Sequence, residues 1–257
     1  MADGLLIALG GEQYSGKSTV SAFLSETGKW ERIRFAGPFK SLIHQFLILC
    51  GYDPLLASQC IDGSISHTRL LDIGLTSKWM LEIIGDEFPL VCEYPKLWSY
   101  MALARSRSLR KQGRNVVIDD LAFDYESHDI HRDQGKTILI IGNHENKKRK
   151  DDIHILNEIY LHDGYISDDI FRKNFISAWD STLGRMSINK INSNIKDTFI
   201  YFLDTILLPG RNQKHFSEKK NYKNIIKSYD YSINNQGSLS DLKDNIGILL
   251  MHLNQIV

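Results

Sequence analysis

An α/β fold with helices layered on both sides of a parallel central sheet is predicted by three observations. An apolar run, Leu5 to Gly10, leads directly into Gly11-Glu12-Gln13-Tyr14-Ser15-Gly16-Lys17-Ser18-Thr19. A second apolar run, Asn115-Val116-Val117-Ile118, ends in Asp119-Asp120. Around them, short apolar runs alternate with stretches of helical period, a β–α–β succession that calls for parallel strands. The 257 residues suffice for one large α/β domain or a core with an inserted subdomain.

The first run reads as a buried strand, and the segment after it fits G-x-x-x-x-G-K-[ST], the phosphate-binding P-loop pattern. Gly11 and Gly16 let the backbone bend until several N–H groups face one anion. The helix starting near Gly16 adds the positive end of its dipole. Lys17 can reach β- and γ-phosphates as a point charge, and the Ser18 hydroxyl can ligate Mg²⁺. Val20, Phe23 and Leu24 continue as an apolar helical stripe.

Along the chain, a helix is expected from Lys17 to Thr27, a strand from Trp30 to Ala36, and a helix from Phe39 to Cys50 preceded by Pro38. Residues 51–75 carry mixed signals. Helices follow over Ser77 to Phe88 and from Pro95 to Leu109. The strand ending at Asp119-Asp120 places acids where ligands bind open α/β sheets, and the register leaves the two interchangeable. A short helix over Glu126 to Gln134 and a strand over Thr137 to Ile141 come next. His128 and His131 share a helix face without a clear third ligand, so a solvated helix is expected there. Ile155, Ile159, Ile170, Phe171, Phe175, Trp179, Ile195, Phe199 and Phe202 recur at helical spacing, which predicts a helical insertion with a small aromatic core. A strand over Tyr229 to Ile233 and a helix capped by Ser238, with Asp241 in its first turn, close the chain.

The 31 basic residues balance 31 acidic ones. Nothing therefore draws the chain as a whole to nucleic acid or anionic membranes, although basic runs at 105–111 and 147–150 leave local nucleic-acid contact open. Cys50, Cys60 and Cys92 form no C-x-x-C pair, which argues for buried thiols in a reducing compartment. No apolar run is long enough to span a bilayer, and the first residues lack the marks of a signal peptide, so a cytoplasmic protein is expected.

Several separated stretches resemble the phage-type deoxynucleoside monophosphate kinases, a branch of the P-loop nucleotide kinases. Besides the loop, Arg34-Phe35-Ala36-Gly37-Pro38-Phe39-Lys40 is similar to the family's F-A-D-P-x-K, and Leu81-Glu82-Ile83-Ile84-Gly85-Asp86-Glu87 to its L-Q-x-x-G-T-E. Val117 to Glu126 resembles V-I-x-D-x-R-F-x-x-E, His215-Phe216-Ser217-Glu218 matches H-x-S-E, and Asp230 to Leu239 matches D-x-x-I-x-N-x-G-[ST]-L.

The resemblance implies a P-loop NTPase three-layer α/β/α fold of the nucleoside monophosphate kinase kind, and phosphoryl transfer from ATP to a deoxynucleoside monophosphate with Mg²⁺. By position, Gly11, Ser15, Gly16, Lys17, Ser18 and Thr19 would cradle the donor phosphates. Ser18 and Asp120 would serve the metal, with Lys17, Asp120 and His215 at the transferred group. Asn235 and Gly237 would pack on the donor base. The implied organisation is a core with acceptor-side helices over 1–143, an insertion or lid over 144–210, and a strand and helix over 211–257 that complete the core. Gly37 and Ala122 depart from the pattern where it has Asp and Arg. The alternative is therefore a catalytically weakened protein that binds nucleotide and acts through partners. The 144–210 segment is the expected surface for a second copy or another protein. A viral origin, with work in the host cytoplasm, is the setting the resemblance suggests.

Overall fold

The computed structural model describes residues 3–12, 14–62, 65, 69–70, 73–142, 158–159, 166–184, 195–210 and 229–256. Among them the strands are β1 (Leu6–Gly10), β2 (Trp30–Ile33), β3 (Arg69–Leu70), β4 (Leu75–Thr76), β5 (Asn115–Ile118), β6 (Lys136–Gly142), β7 (Glu158–Ile159) and β8 (Tyr231–Asn235). The helices are α1 (Lys17–Glu26), α2 (Gly37–Leu49), α3 (Pro54–Asp62), α4 (Ser77–Glu82), α5 (Phe88–Val91), α6 (Leu97–Arg110), α7 (Asp124–Arg132), α8 (Asp168–Thr182), α9 (Ile195–Phe202), α10 (Leu208–Gly210) and α11 (Leu239–Ile256). Contacts divide the chain into two units, one from Met1–Phe35, Ser99–Asp152 and Asn221–Val257, the other from Ala36–Trp98 and Ile153–Lys220.

The first unit holds a five-stranded sheet in the order β2-β5-β1-β6-β8, parallel throughout. A strand's period of two sorts its side chains between the faces. Leu6 and Ala8 of β1 join Val116, Ile118, Ala102 and Leu103 of α6, and Ile130 of α7. Ile7 and Leu9 join Val20 and Leu24 of α1, and Leu242, Ile246 and Leu249 of α11. Helices thus cover both faces, an arrangement compatible with three layers. Burial on both sides is why β1 reads as a continuous apolar run rather than an alternating one.

Two strand boundaries move from their expected places, each for a local reason. β2 stops at Ile33 because the next residues turn toward β5: Arg34 Nε donates to Asp119 and the Phe35 N–H to Asp120. β8 begins at Tyr231 because Asp230 is occupied as an acceptor, taking the Thr137 N–H at 2.7 Å and bonding His131 Nε2 at 2.9 Å. His128 and His131 are both exposed, as expected of a solvated helix face, and His131 in addition ties α7 to the start of β8. Partial burial would raise the Asp230 carboxyl, but the Thr137 N–H and His131 hold it below its ordinary range. Arg107 and Arg110, from the basic run, are likewise spent inside the unit, on the Asp133 side chain and the Asp133 carbonyl.

The second unit holds a small sheet, β4-β3-β7. Its two-residue strands carry no readable period, so the sequence gives no sign of them. The helix expected over Ser77 to Phe88 contains a π-helical turn at Ile83–Glu87, and a second π turn occupies Leu203–Leu207. Each stands just before a proline, Pro89 or Pro209. Proline lacks an N–H and its ring crowds the carbonyl four residues back, so the turn widens. The carbonyl left over by Pro89 is that of Gly85, and Trp98 Nε1 donates to it at 2.9 Å.

The expected aromatic core is larger than the 144–210 segment. Phe46 of α2 stacks on Phe175 of α8 at 3.7 Å between centroids, and Phe88 of α5 lies 5.2 Å from Phe199 of α9. Residues 36–98 and the described part of 153–210 share one core. Cys50 and Cys60 are buried and Cys92 is half-buried. Burial pushes the Cys60 thiol up to about 11 and the Cys92 thiol up to about 12. No helix among the described residues is long and apolar enough to cross a membrane.

Candidate phosphate-binding site

The site lies in the first unit, where β1 gives way to α1 at the carboxyl end of the parallel sheet. Gly11 (φ +136°) and Gly16 (φ +105°) both occupy the left-handed region that a side chain resists. Space imposes the same choice. A Cβ on Gly11 would overlap the Ile140 carbonyl, and one on Gly16 would overlap the Asn235 amide. Tyr14 also has a positive φ, +66°, an unusual conformation for an aromatic residue that nothing in the sequence announces. Gln13 lies outside the described residues.

Gly16 is the N-cap of α1, and it brings no side chain to the cap. The first N–H groups of a helix have no partner within it. They therefore face outward together, with the helix dipole behind them. Ser15 is 3% exposed, and its Oγ has no hydrogen-bond partner among the described residues. A buried hydroxyl left unsatisfied is uncommon and asks for a ligand. Lys17 folds back onto the loop, its Nζ donating to the Gly11 and Glu12 carbonyls at 2.9 and 2.7 Å. Burial lowers its pKa, while the charges of Asp119, Asp120 and Glu12 oppose that fall. Ser18 and Thr19 are exposed in the first turn of α1.

The acidic pair at the end of β5 is not interchangeable. Asp119 is buried, accepting from Ser21 Oγ of α1 at 2.8 Å and forming ion pairs with Arg32 and with Arg34 at 3.0 Å. Burial alone would raise its carboxyl, but the two guanidiniums and the hydroxyl hold it below its ordinary range. Asp120 is half-buried, with Oδ1 accepting the Phe35 N–H at 2.8 Å. Arg34, one of the cations that could stand in for the Arg absent at position 122, is thus engaged by Asp119. Two further candidates, Lys40 and Lys78, pair with Asp62 and Glu82 inside the second unit.

Glu126 is a feature that sequence reading missed. Its Oε2 accepts the N–H groups of Ala122 and Phe123 at 2.9 and 3.0 Å, closing the start of α7 from inside. Burial pushes its carboxyl up to about 8, and the nearby Asp120 charge adds to the push. Its ordinary value is 4.5, so over that interval the folded protein keeps a proton that the unfolded chain has released. Stability therefore falls as pH rises from about 4.5 to about 8. Denaturant unfolding across this range will show a downward slope in the wild type that Glu126→Gln flattens. Equal slopes in the two proteins would remove the buried proton from the account.

The loop, Lys17, Asp119, Asp120 and Asn235 come together at the carboxyl ends of β1, β5 and β8. Asn235 Nδ2 donates to the Ser15 carbonyl at 2.8 Å. Gly237 stands apart, in the cap of α11, where a Cβ would come within 2.6 Å of Asp241 Oδ2. There Ser238 Oγ accepts the Asp241 N–H at 3.2 Å and the Asp241 carboxylate accepts the Ser238 N–H at 2.7 Å, so the expected cap is present. His215, Ser217, Glu218 and the basic run at 147–150 lie outside the described residues. The chain matches no family model and no curated protein sequence.

Proposed function

We propose that this protein binds the phosphates of ATP in the Gly11–Thr19 loop and transfers the terminal phosphoryl group to a deoxynucleoside monophosphate. One observation carries the reading. An uncapped helix start, a lysine and a buried hydroxyl without a partner converge on one loop between a buried strand and a helix. Such a set suits a polyanion better than a neutral ligand. The acceptor class rests on the resemblance of the flanking segments. Lys17 leaves the loop carbonyls to meet the β- and γ-phosphates, and the first amides of α1 hold the oxygens in place. Ser18 and Asp120 are oxygen donors of the kind Mg²⁺ takes beside phosphates and water. The ion, when bound, neutralises charge on the transferring group.

The test is ADP release from purified protein with ATP, Mg²⁺ and each deoxynucleoside monophosphate in turn. Acceptor-selective release is expected. Ala122 favours a second reading. It is exposed near the end of the β5–α7 connection, two residues before α7, and brings no guanidinium there. Tight ATP binding with no acceptor-dependent release supports that reading, a nucleotide-binding protein whose transfer step has lapsed.

A further inference from the structure

We propose that Asn235 is a positioning residue for the phosphate loop, gripping the Ser15 carbonyl from the end of β8 and so aiming the loop's N–H groups. The inference rests on the phosphate-binding reading above and departs from the base contact that the resemblance implies for this asparagine.

Three features converge on the Ser15 peptide. Asn235 Nδ2 donates to the Ser15 oxygen at 2.8 Å. Gly16 leaves open the space that this amide fills, since a Cβ there would overlap Nδ2. Gly142, paired with Asn235 across β6 and β8, leaves equivalent room for the Ser15 backbone, where a Cβ would overlap Ser15 Cα. Ser15 is thus held between two strand ends. In a planar trans peptide the C=O and N–H point opposite ways. A grip on the Ser15 carbonyl therefore fixes the Gly16 N–H to point away from the Asn235 amide. One of the two Nδ2 N–H groups of Asn235 is spent on the loop.

The test separates a grip on the loop from a contact with the base by using a ligand that has no base. Binding of inorganic tripolyphosphate, ATP and GTP is measured calorimetrically on the full chain, for wild type, Asn235→Ala and the uncharged, nearly isosteric Asn235→Leu. Loss of one part-buried hydrogen bond predicts that both variants bind tripolyphosphate and ATP about tenfold more weakly, by the same factor. The ATP to GTP preference stays unchanged. If Asn235→Ala fails to fold, Asn235→Leu carries the comparison. Unchanged tripolyphosphate affinity in Asn235→Leu, whether with weaker ATP binding or only a lower melting temperature, overturns the proposal and leaves the phosphate reading standing. A wild type that binds neither tripolyphosphate nor ATP overturns both.

Discussion

Replacing Lys17 by alanine will weaken ATP binding about a hundredfold, the loss expected when charge-assisted bonds to phosphate disappear. The fold should survive almost unchanged. Among the described residues Lys17 Nζ donates to the Gly11 and Glu12 carbonyls, and Glu12 is exposed to water. Melting temperature should therefore move little while affinity collapses, and acceptor-dependent ADP release should fall to background. Lys17→Arg should not restore either property, because a planar fork does not fill the place of a compact ammonium. Calorimetric titration with ATP is the direct check. An alanine variant that binds as wild type does would remove the loop from nucleotide binding altogether.

Replacing Asp119 by alanine will have the largest effect on stability, a loss of about 3 kcal/mol in denaturant unfolding. The change strips Arg32, Arg34 and Ser21 of a shared acceptor that is itself buried. The two arginine side chains are 29% and 27% exposed, so water can reach them, which places the loss at the lower end for a broken buried pair. The pH dependence has a definite sign. The Asp119 carboxyl is lowered from 3.8 in the fold. Its contribution is therefore present above that ordinary value and disappears as pH falls through the lowered one. Asp119→Asn should blunt acid unfolding on this limb. Asp120→Ala removes the acceptor of the Phe35 amide, a bond worth about 1 kcal/mol. The damage from that change should appear in Mg²⁺-dependent turnover. An Asp119→Ala protein as stable as wild type would show that the arginine pair is not a structural tie.

Much of this division was legible in the residues, and the rest was hidden for physical reasons. The glycine spacing around Lys17 marks a tight loop because few other residues tolerate its backbone angles, and the angles at Gly11 and Gly16 agree. The central strands were readable because burial on both faces writes an unbroken apolar run. The choice between Asp119 and Asp120 was not readable, since it depends on arginines more than 80 residues away. Glu126 gave no signal because a carboxylate three residues into a helix is ordinary on a surface, and only the covering structure makes it unusual. The Ser15 grip was hidden for the same reason: its partner is 220 residues downstream. The small sheet escaped because its two-residue strands have no period to detect. The π turns had a readable cause in Pro89 and Pro209, but the widened bonding follows from the packing around each proline.

The separation between Ser15 and Asn235 also bears on how the protein is made. The loop is spelled by residues 11–19 but is closed by a strand that begins at Tyr231. At ordinary translation speeds roughly ten to forty seconds separate the two events on the ribosome. From the synthesis of β6 until that of β8, the sheet edge that receives β8 is bare and the glycine loop stands on one side only. Contacts between such distant residues are the slow ones in folding. Final assembly of the loop therefore waits for the synthesis of β8, and phosphate affinity acquired by a nascent chain would time the docking of that strand.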